Sequence, residues 1–138
     1  MHTRLVLLGL LTALIVALGR IQPEAALSHA VLEEADPAPG AVLKVPPRLV
    51  RLRFALSPQE ELDPRRSTLA VWGPGGSRVD DGRGGVDLHD LDRRTLIARL
   101  RGHAGPGMYA VRWKAVTVPD GGTSQGAFRF TVARAAAP

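Results

Sequence analysis

The sequence predicts an all-β domain, an antiparallel sandwich or barrel of about seven short strands. Three observations carry that prediction. Apolar and polar residues alternate in several separate runs, the pattern of half-buried strands. Clusters of Gly, Pro, Asp and Ser divide those runs and supply turn chemistry. Beyond residue 28 no run has the three-to-four-residue spacing of a helix.

The closing stretch, residues 107–132, shows the alternation most clearly. Tyr109, Val111, Trp113 and Ala115 fall on one side of an extended chain, and Arg112 and Lys114 on the other. Phe128, Phe130 and Val132 repeat the pattern, with Arg129 and Thr131 facing away. Between the two runs lies Val118-Pro119-Asp120-Gly121-Gly122-Thr123-Ser124, rich in turn formers. The pair reads as an antiparallel hairpin whose loop offers one carboxylate, Asp120, at a sheet edge.

Taken from the start, residues 1–4 are basic, residues 5–19 are almost wholly apolar, and residues 20–28 turn polar. That is the tripartite layout of a secretory signal. The apolar run is shorter than the roughly 20 residues a spanning helix needs, though an uncleaved anchor is the other reading of it. Ala26 and Ser28 stand at the two positions a signal peptidase reads, which places the cut before His29. The expected divisions are a signal helix over 1–28, one β domain over 29–133 and a fraying tail over 134–138.

Within the domain, residues 29–34 read as a first strand with Ala30 and Leu32 inward, followed by a rigid turn at Asp36-Pro37-Ala38-Pro39-Gly40. Residues 48–56 read as a strong strand, with Val50, Leu52, Phe54 and Leu56 inward and Arg51 and Arg53 outward. Residues 57–66 are polar, with Pro58 and Pro64, and read as a loop. Residues 68–72 form a strand closed by Gly73-Pro74-Gly75-Gly76, residues 77–79 a short edge strand, and residues 80–92 an irregular Gly- and Asp-rich segment. Residues 94–100 form a strand with Leu96, Ala98 and Leu100 inward, and residues 102–107 turn into the closing hairpin.

Composition narrows the function. At 138 residues and 45% hydrophobic content, the chain can bury one core. The formal charge is +5, supplied mostly by arginine. These arginines alternate with apolar residues along strands, which describes a solvated sheet face rather than a nucleic-acid footprint. No cysteine is present, which excludes a disulfide framework, thiolate chemistry and Cys-ligated metal. The glycine-rich turn at 73–76 lacks the Lys of a phosphate loop, the acids Asp80, Asp81, Asp87, Asp90 and Asp92 do not follow calcium-loop spacing, and Ser57, Ser67, Ser77 and Ser124 have no nucleophile context. Trp72 and Trp113 read as core or cross-strand packing. An enzyme is not expected.

A cut before His29 has a chemical consequence. A terminal His offers an α-amino nitrogen and an imidazole nitrogen from one residue, and together they chelate a divalent metal, Cu(II) most strongly. The unperturbed α-amino pKa is roughly 7.7–8.0, so a metal displaces that proton near neutral pH. The plain alternative is an ordinary exposed histidine inside a ragged terminus. Asp120 likewise reads either as a ligand or as a turn-forming residue.

With His29-Ala30-Val31-Leu32, Asp36-Pro37-Ala38-Pro39-Gly40, Arg51-Leu52-Arg53-Phe54 and the closing hairpin in view, the chain resembles the periplasmic copper-binding CopC family over residues 29–132. Within the hairpin the matching residues are Gly107, Tyr109, Val111, Trp113, Asp120, Gly126, Phe128, Phe130 and Val132. The resemblance implies an Ig-like or cupredoxin-like Greek-key β-barrel that is exported to the periplasm or the extracytoplasmic envelope. It implies Cu(II) held by the N-terminal His and by an Asp and a His of the last hairpin loop. Those positions fall on His29, Asp120 and Gly122, and Gly122 has no side chain with which to ligate. An acidic residue that follows the second strand in some members is matched here by Ala55-Leu56; Glu60 and Glu61 lie nearby in sequence without matching it. His89 is the extra histidine whose loop could reach the site, whereas His103 stands a strand length away, on the order of 25 Å. The Met-rich Cu(I) loop of some members is missing.

The expected protein is therefore a monomeric, exported Cu(II) carrier or buffer in copper homeostasis or resistance, with a reduced site at His29 and Asp120. The resemblance adds an integral membrane copper-transport partner, and no nucleic acid is expected. The alternative is a metal-free relative of the same barrel acting as an interaction module in the cell envelope.

Overall fold

The computed structural model describes residues 29–102 and 105–136. The expected signal segment at 1–28, and His103, lie outside the described residues. Among the described residues nine strands follow one another: β1 (Ala30–Asp36), β2 (Val42–Leu43), β3 (Leu49–Leu56), β4 (Glu61–Leu62), β5 (Thr68–Trp72), β6 (Gly85–Val86), β7 (Thr95–Arg99), β8 (Gly107–Val118) and β9 (Thr123–Val132). Among the described residues no helix is long and apolar enough to cross a membrane.

One sheet runs β1-β3-β7-β6, and the other β2-β9-β8-β4, with β5 also paired to β8. The strand pairings are antiparallel except for β2 with β9, which is parallel. The alternation read from the sequence decides which face of each strand is covered. Val50, Leu52 and Phe54 of β3, Leu96 and Ala98 of β7 and Ala30 of β1 form one side of the core. Leu69 and Val71 of β5, Tyr109, Val111 and Ala115 of β8, and Phe130 and Val132 of β9 form the other. Arg51 and Arg53 are exposed between them, as a sheet with one solvated face requires.

Two aromatic contacts brace the sandwich, the first between the sheets and the second across paired strands of one sheet. Trp113 meets Phe54 edge-on, with centroids 4.9 Å apart and planes at 67°. Tyr109 stacks on Phe130 at 5.0 Å, and its buried hydroxyl donates to the Gly105 carbonyl at 2.6 Å. The guanidinium groups of Arg78 and Arg112 each stand over the Trp72 ring, 5.7 and 5.3 Å from its centre, a cross-strand packing role.

The structure corrects three boundaries. The loop expected over 57–66 contains β4, because Leu62 is wholly buried and its N–H donates to the Arg93 carbonyl at 2.9 Å. The irregular segment 80–92 contains β6. The edge strand expected at 77–79 is reduced to a single bridge between Trp72 and Arg78. With β2, these pieces raise the strand number above the seven expected; a two-residue strand is too short to show an alternation.

Antiparallel pairing brings three chain segments to one pole. β1 begins beside the end of β3, where Ala30 pairs with Leu56. β4 pairs with the end of β8, Glu61 with Val118 and Leu62 with Thr117. The β8–β9 turn leaves from that same end, after the pair Val116–Thr123. The Ala30 N–H donates to the Ser124 hydroxyl at 3.3 Å and ties the start of β1 to this hairpin.

Candidate metal centre

His29, Glu60 and Asp120 meet at that pole, with one ligand atom of each within 4.8 Å of the others. They are the only such group of three or more His, Cys, Asp or Glu side chains among the described residues. The Nδ1 atom of His29 lies 2.9 Å from Asp120 Oδ2 and 3.1 Å from Glu60 Oε1. The Glu60 side chain is 10% exposed, against 38% for His29 and 42% for Asp120, so the cluster opens to solvent on one side.

Each carboxylate divides its two oxygens between two tasks. Asp120 Oδ1 accepts from the Thr117 hydroxyl at 3.0 Å and from the Gly122 N–H at 3.3 Å, which shapes the turn. Its Oδ2 faces the imidazole. Glu60 Oε2 accepts from the Ser57 N–H at 3.3 Å, while the Glu60 N–H donates to the Ser57 carbonyl at 3.0 Å. Its Oε1 faces the same Nδ1. Both acids are thus aimed by their own turns before any ion arrives, the arrangement that orients metal ligands. The Gly122 N–H and the Thr117 hydroxyl hold the Asp120 carboxyl below the usual carboxylate range, with the nearby Glu60 and His29 adding to the effect.

These donors fit a divalent ion. Bonds of about 2.0–2.1 Å at right angles place neighbouring donor atoms about 2.9 Å apart, close to the two spacings at Nδ1. Two carboxylate oxygens gathered around one nitrogen repel each other, and a cation between them removes the repulsion. Nδ1 is also the ring atom that closes a six-membered chelate with an α-amino group on the same histidine, so its orientation suits a chain beginning at residue 29.

Of the residues singled out from the sequence, His29 and Asp120 come together. His89 does not join them: its side chain is 96% exposed, and Nδ1 lies 3.4 Å from Asp87 Oδ1. Gly122 lies directly against the His29 ring. Glu60 is the residue that sequence reasoning passed over. It follows β3 by four residues, and the available signal was positional: where β1 and β3 run antiparallel, whatever follows β3 sits beside whatever precedes β1.

The family model described as the CopC domain matches residues 32–133. The chain belongs to the CopC family. Among solved structures it is similar to CopC from Methylosinus trichosporium OB3b, at 24% identity and a TM-score of 0.64, over 80% of this chain and 99% of that one. It is also similar to PcoC, a methionine-rich copper resistance protein from Escherichia coli, at 22% identity and a TM-score of 0.58, over 76% and 99% of the two chains. At these identities the likenesses establish a shared CopC-type β fold. No curated protein sequence matches this one.

Proposed function

We propose that this CopC-family chain is an exported carrier or buffer for Cu(II), a binding protein rather than an enzyme. His29 supplies Nδ1 and, after a cut before residue 29, its α-amino nitrogen; Glu60 and Asp120 supply one oxygen each. The observation that carries the reading is the imidazole nitrogen of His29 facing two pre-oriented carboxylate oxygens at 2.9 and 3.1 Å. Two nitrogens and two oxygens form the donor set of a tetragonal Cu(II) site, and Cu(II) heads the divalent series for such ligands. Uptake of the ion displaces the proton of the α-amino group, so binding is acid-sensitive.

The family and the copper resistance protein among its structural neighbours support the choice of copper. An integral membrane copper-transport protein is the proposed partner, reached from the extracytoplasmic side.

Mass spectrometry of the exported protein reads its first residue, and a competition titration with Cu(II) then compares it with His29→Ala, Glu60→Ala and Asp120→Ala. The expected outcome is a terminus at His29, one Cu(II) per chain, the largest loss in His29→Ala, and a clear loss in each acid variant. A terminus elsewhere, or equally weak binding by the wild type and His29→Ala, sinks the copper reading and leaves the metal-free interaction module.

A further inference from the structure

Away from the metal cluster, the two sheets differ in how their outer faces balance charge. On the β3 side, acids stand among the arginines. Arg53 pairs with Glu33 at 3.0 Å, Arg51 lies opposite Asp36 in the β1–β3 register, and Asp87, Asp90 and Asp92 line a hollow with both. The outer face of the β5–β8–β9 sheet has no such balance. Burial of Tyr109, Val111 and Phe130 turns Arg112, Lys114 and Arg129 outward, and the register sets them on three successive rows. Every cross-strand neighbour of these three in β5, β8 and β9 is uncharged. Among the described residues none of the three makes an ion pair. Residues diagonal across a strand pair, as Arg112 and Arg129 are, stand about 7–8 Å apart. That is within the roughly 8 Å screening length of physiological salt, so an anion laid over this face relieves a repulsion.

The same face is apolar at one end. Met108 is 53% exposed and Val42 70%, both level with Thr131 on the row beyond Arg129. Trp72, half-buried on β5, shares the row of Ala110 and Arg129, with the Arg112 guanidinium 5.3 Å from its ring centre. An indole among arginines, next to exposed aliphatic chains, has the makeup of a membrane-interface surface. The ring suits the headgroup level, and the guanidinium groups reach lipid phosphates. A broad sheet face matches a plane of headgroups better than a single peptide. Beside the apolar end, β2 already pairs with β9 and covers the edge to which an extended peptide would add. We propose that the outer face of the β5–β8–β9 sheet docks on a membrane surface rich in anionic lipid, through Arg112, Lys114 and Arg129 with Trp72, Met108 and Val42. Met108 and Thr117, which bonds to Asp120, stand at opposite ends of β8, about 30 Å apart at a strand's rise per residue. A chain seated by its apolar end therefore leaves the metal cluster in water. The proposal rests on the exported reading of the chain and not on copper.

Sedimentation with lipid vesicles tests this on the exported, processed protein without metal. The vesicles are phosphatidylcholine alone or an equal mixture with phosphatidylglycerol. Binding is expected to the mixture only, and it should weaken as salt rises. Arg112→Gln/Arg129→Gln is expected to bind the mixture on the order of 25-fold more weakly, about fivefold for each basic residue near the surface. Arg51→Gln/Arg53→Gln removes the same charge from the face of the other sheet and is expected to bind as the wild type does. Lipid brominated near the headgroup end of its chains should quench the tryptophan fluorescence of the wild type, a readout that needs no variant. No binding to the mixture, equal binding to phosphatidylcholine, equal losses in the two double variants, or no quenching overturns the proposal. Capture by soluble polyglutamate without binding to either vesicle makes the face a dock for an acidic protein and also overturns it. If Arg112→Gln/Arg129→Gln does not fold, quenching that high salt abolishes supports the proposal, and quenching that salt leaves intact overturns it. The copper titration is read separately, so either reading can fail without the other.

Discussion

Asp120 divides its carboxylate between two neighbours. One oxygen builds the turn through Thr117 and Gly122, and the other faces His29. Asp80 illustrates the same economy in a structural role. Its side chain is fully buried, with Oδ2 accepting from the Val71 N–H and Arg78 Nε at 2.8 Å each and Oδ1 accepting from the Gly82 N–H at 2.7 Å. Burial pushes this carboxyl up, but the Arg78 guanidinium and the two backbone N–H groups outweigh it, so the pKa lies below the ordinary value. A folded-state pKa below the unfolded one adds stability that is present above the unfolded pKa of about 3.9 and is lost as pH falls through the folded value. Asp80→Asn, which sets an amide donor among donors, is expected to cost about 1–3 kcal/mol at neutral pH in chemical denaturation. It should also flatten the loss of stability on acidification below about pH 4. A variant as stable as wild type at pH 7, with the same acid slope, would show that Asp80 is not a charged anchor.

At the scale of elements, the β8–β9 hairpin joins the core to the site. Gly126 sits opposite Trp113 in the pair, and a Cβ at 126 would stand 2.6 Å from the indole Cζ2. The glycine leaves room for the ring that meets Phe54. Gly126→Val is expected to destabilise the domain by about 1–3 kcal/mol through overpacking. In a Trp72→Phe background, the fluorescence of Trp113 should shift as the ring leaves Phe54; an unshifted spectrum would show that the ring does not depend on that space. At the far end of β8, the Tyr109 hydroxyl holds the preceding turn through Gly105. Tyr109→Phe should cost about 1 kcal/mol, read by urea unfolding, with Cu(II) binding unchanged because the site lies at the opposite end of the strand. The short strand β4 is positioned by Leu62, whose burial and bond to Arg93 hold the segment that carries Glu60 beside Val118 and Asp120. Its two residues carry no readable pattern, which is why the sequence suggested only a polar loop there.

Over the whole molecule, a sandwich with exposed arginines on its faces carries a small acidic cluster at one pole. Its charge balance as a chain is positive, so a divalent cation at that cluster would be held by local donors and not by the overall field. An ion that binds the folded state alone must stabilise it by mass action. Free Cu(II) at about 100 times the dissociation constant is expected to add about 2.7 kcal/mol to the unfolding free energy of the wild type. His29→Ala should lose nearly all of that gain. Equal gains in both proteins would place the copper elsewhere.

The order of the six longer strands, their inward and outward faces, the closing hairpin and its lone acid were legible in the sequence, because alternation and turn chemistry are local properties. The family resemblance and the candidacy of His29 and Asp120 were legible for the same reason, each carried by a short motif. Tertiary structure alone decided that Glu60 joins His29 and Asp120, that His89 stays apart, and that Gly122 lies against the His29 ring. Those facts depend on contacts between segments far apart in the chain, and pairing register, which no short run of residues encodes, sets which of them share a pole.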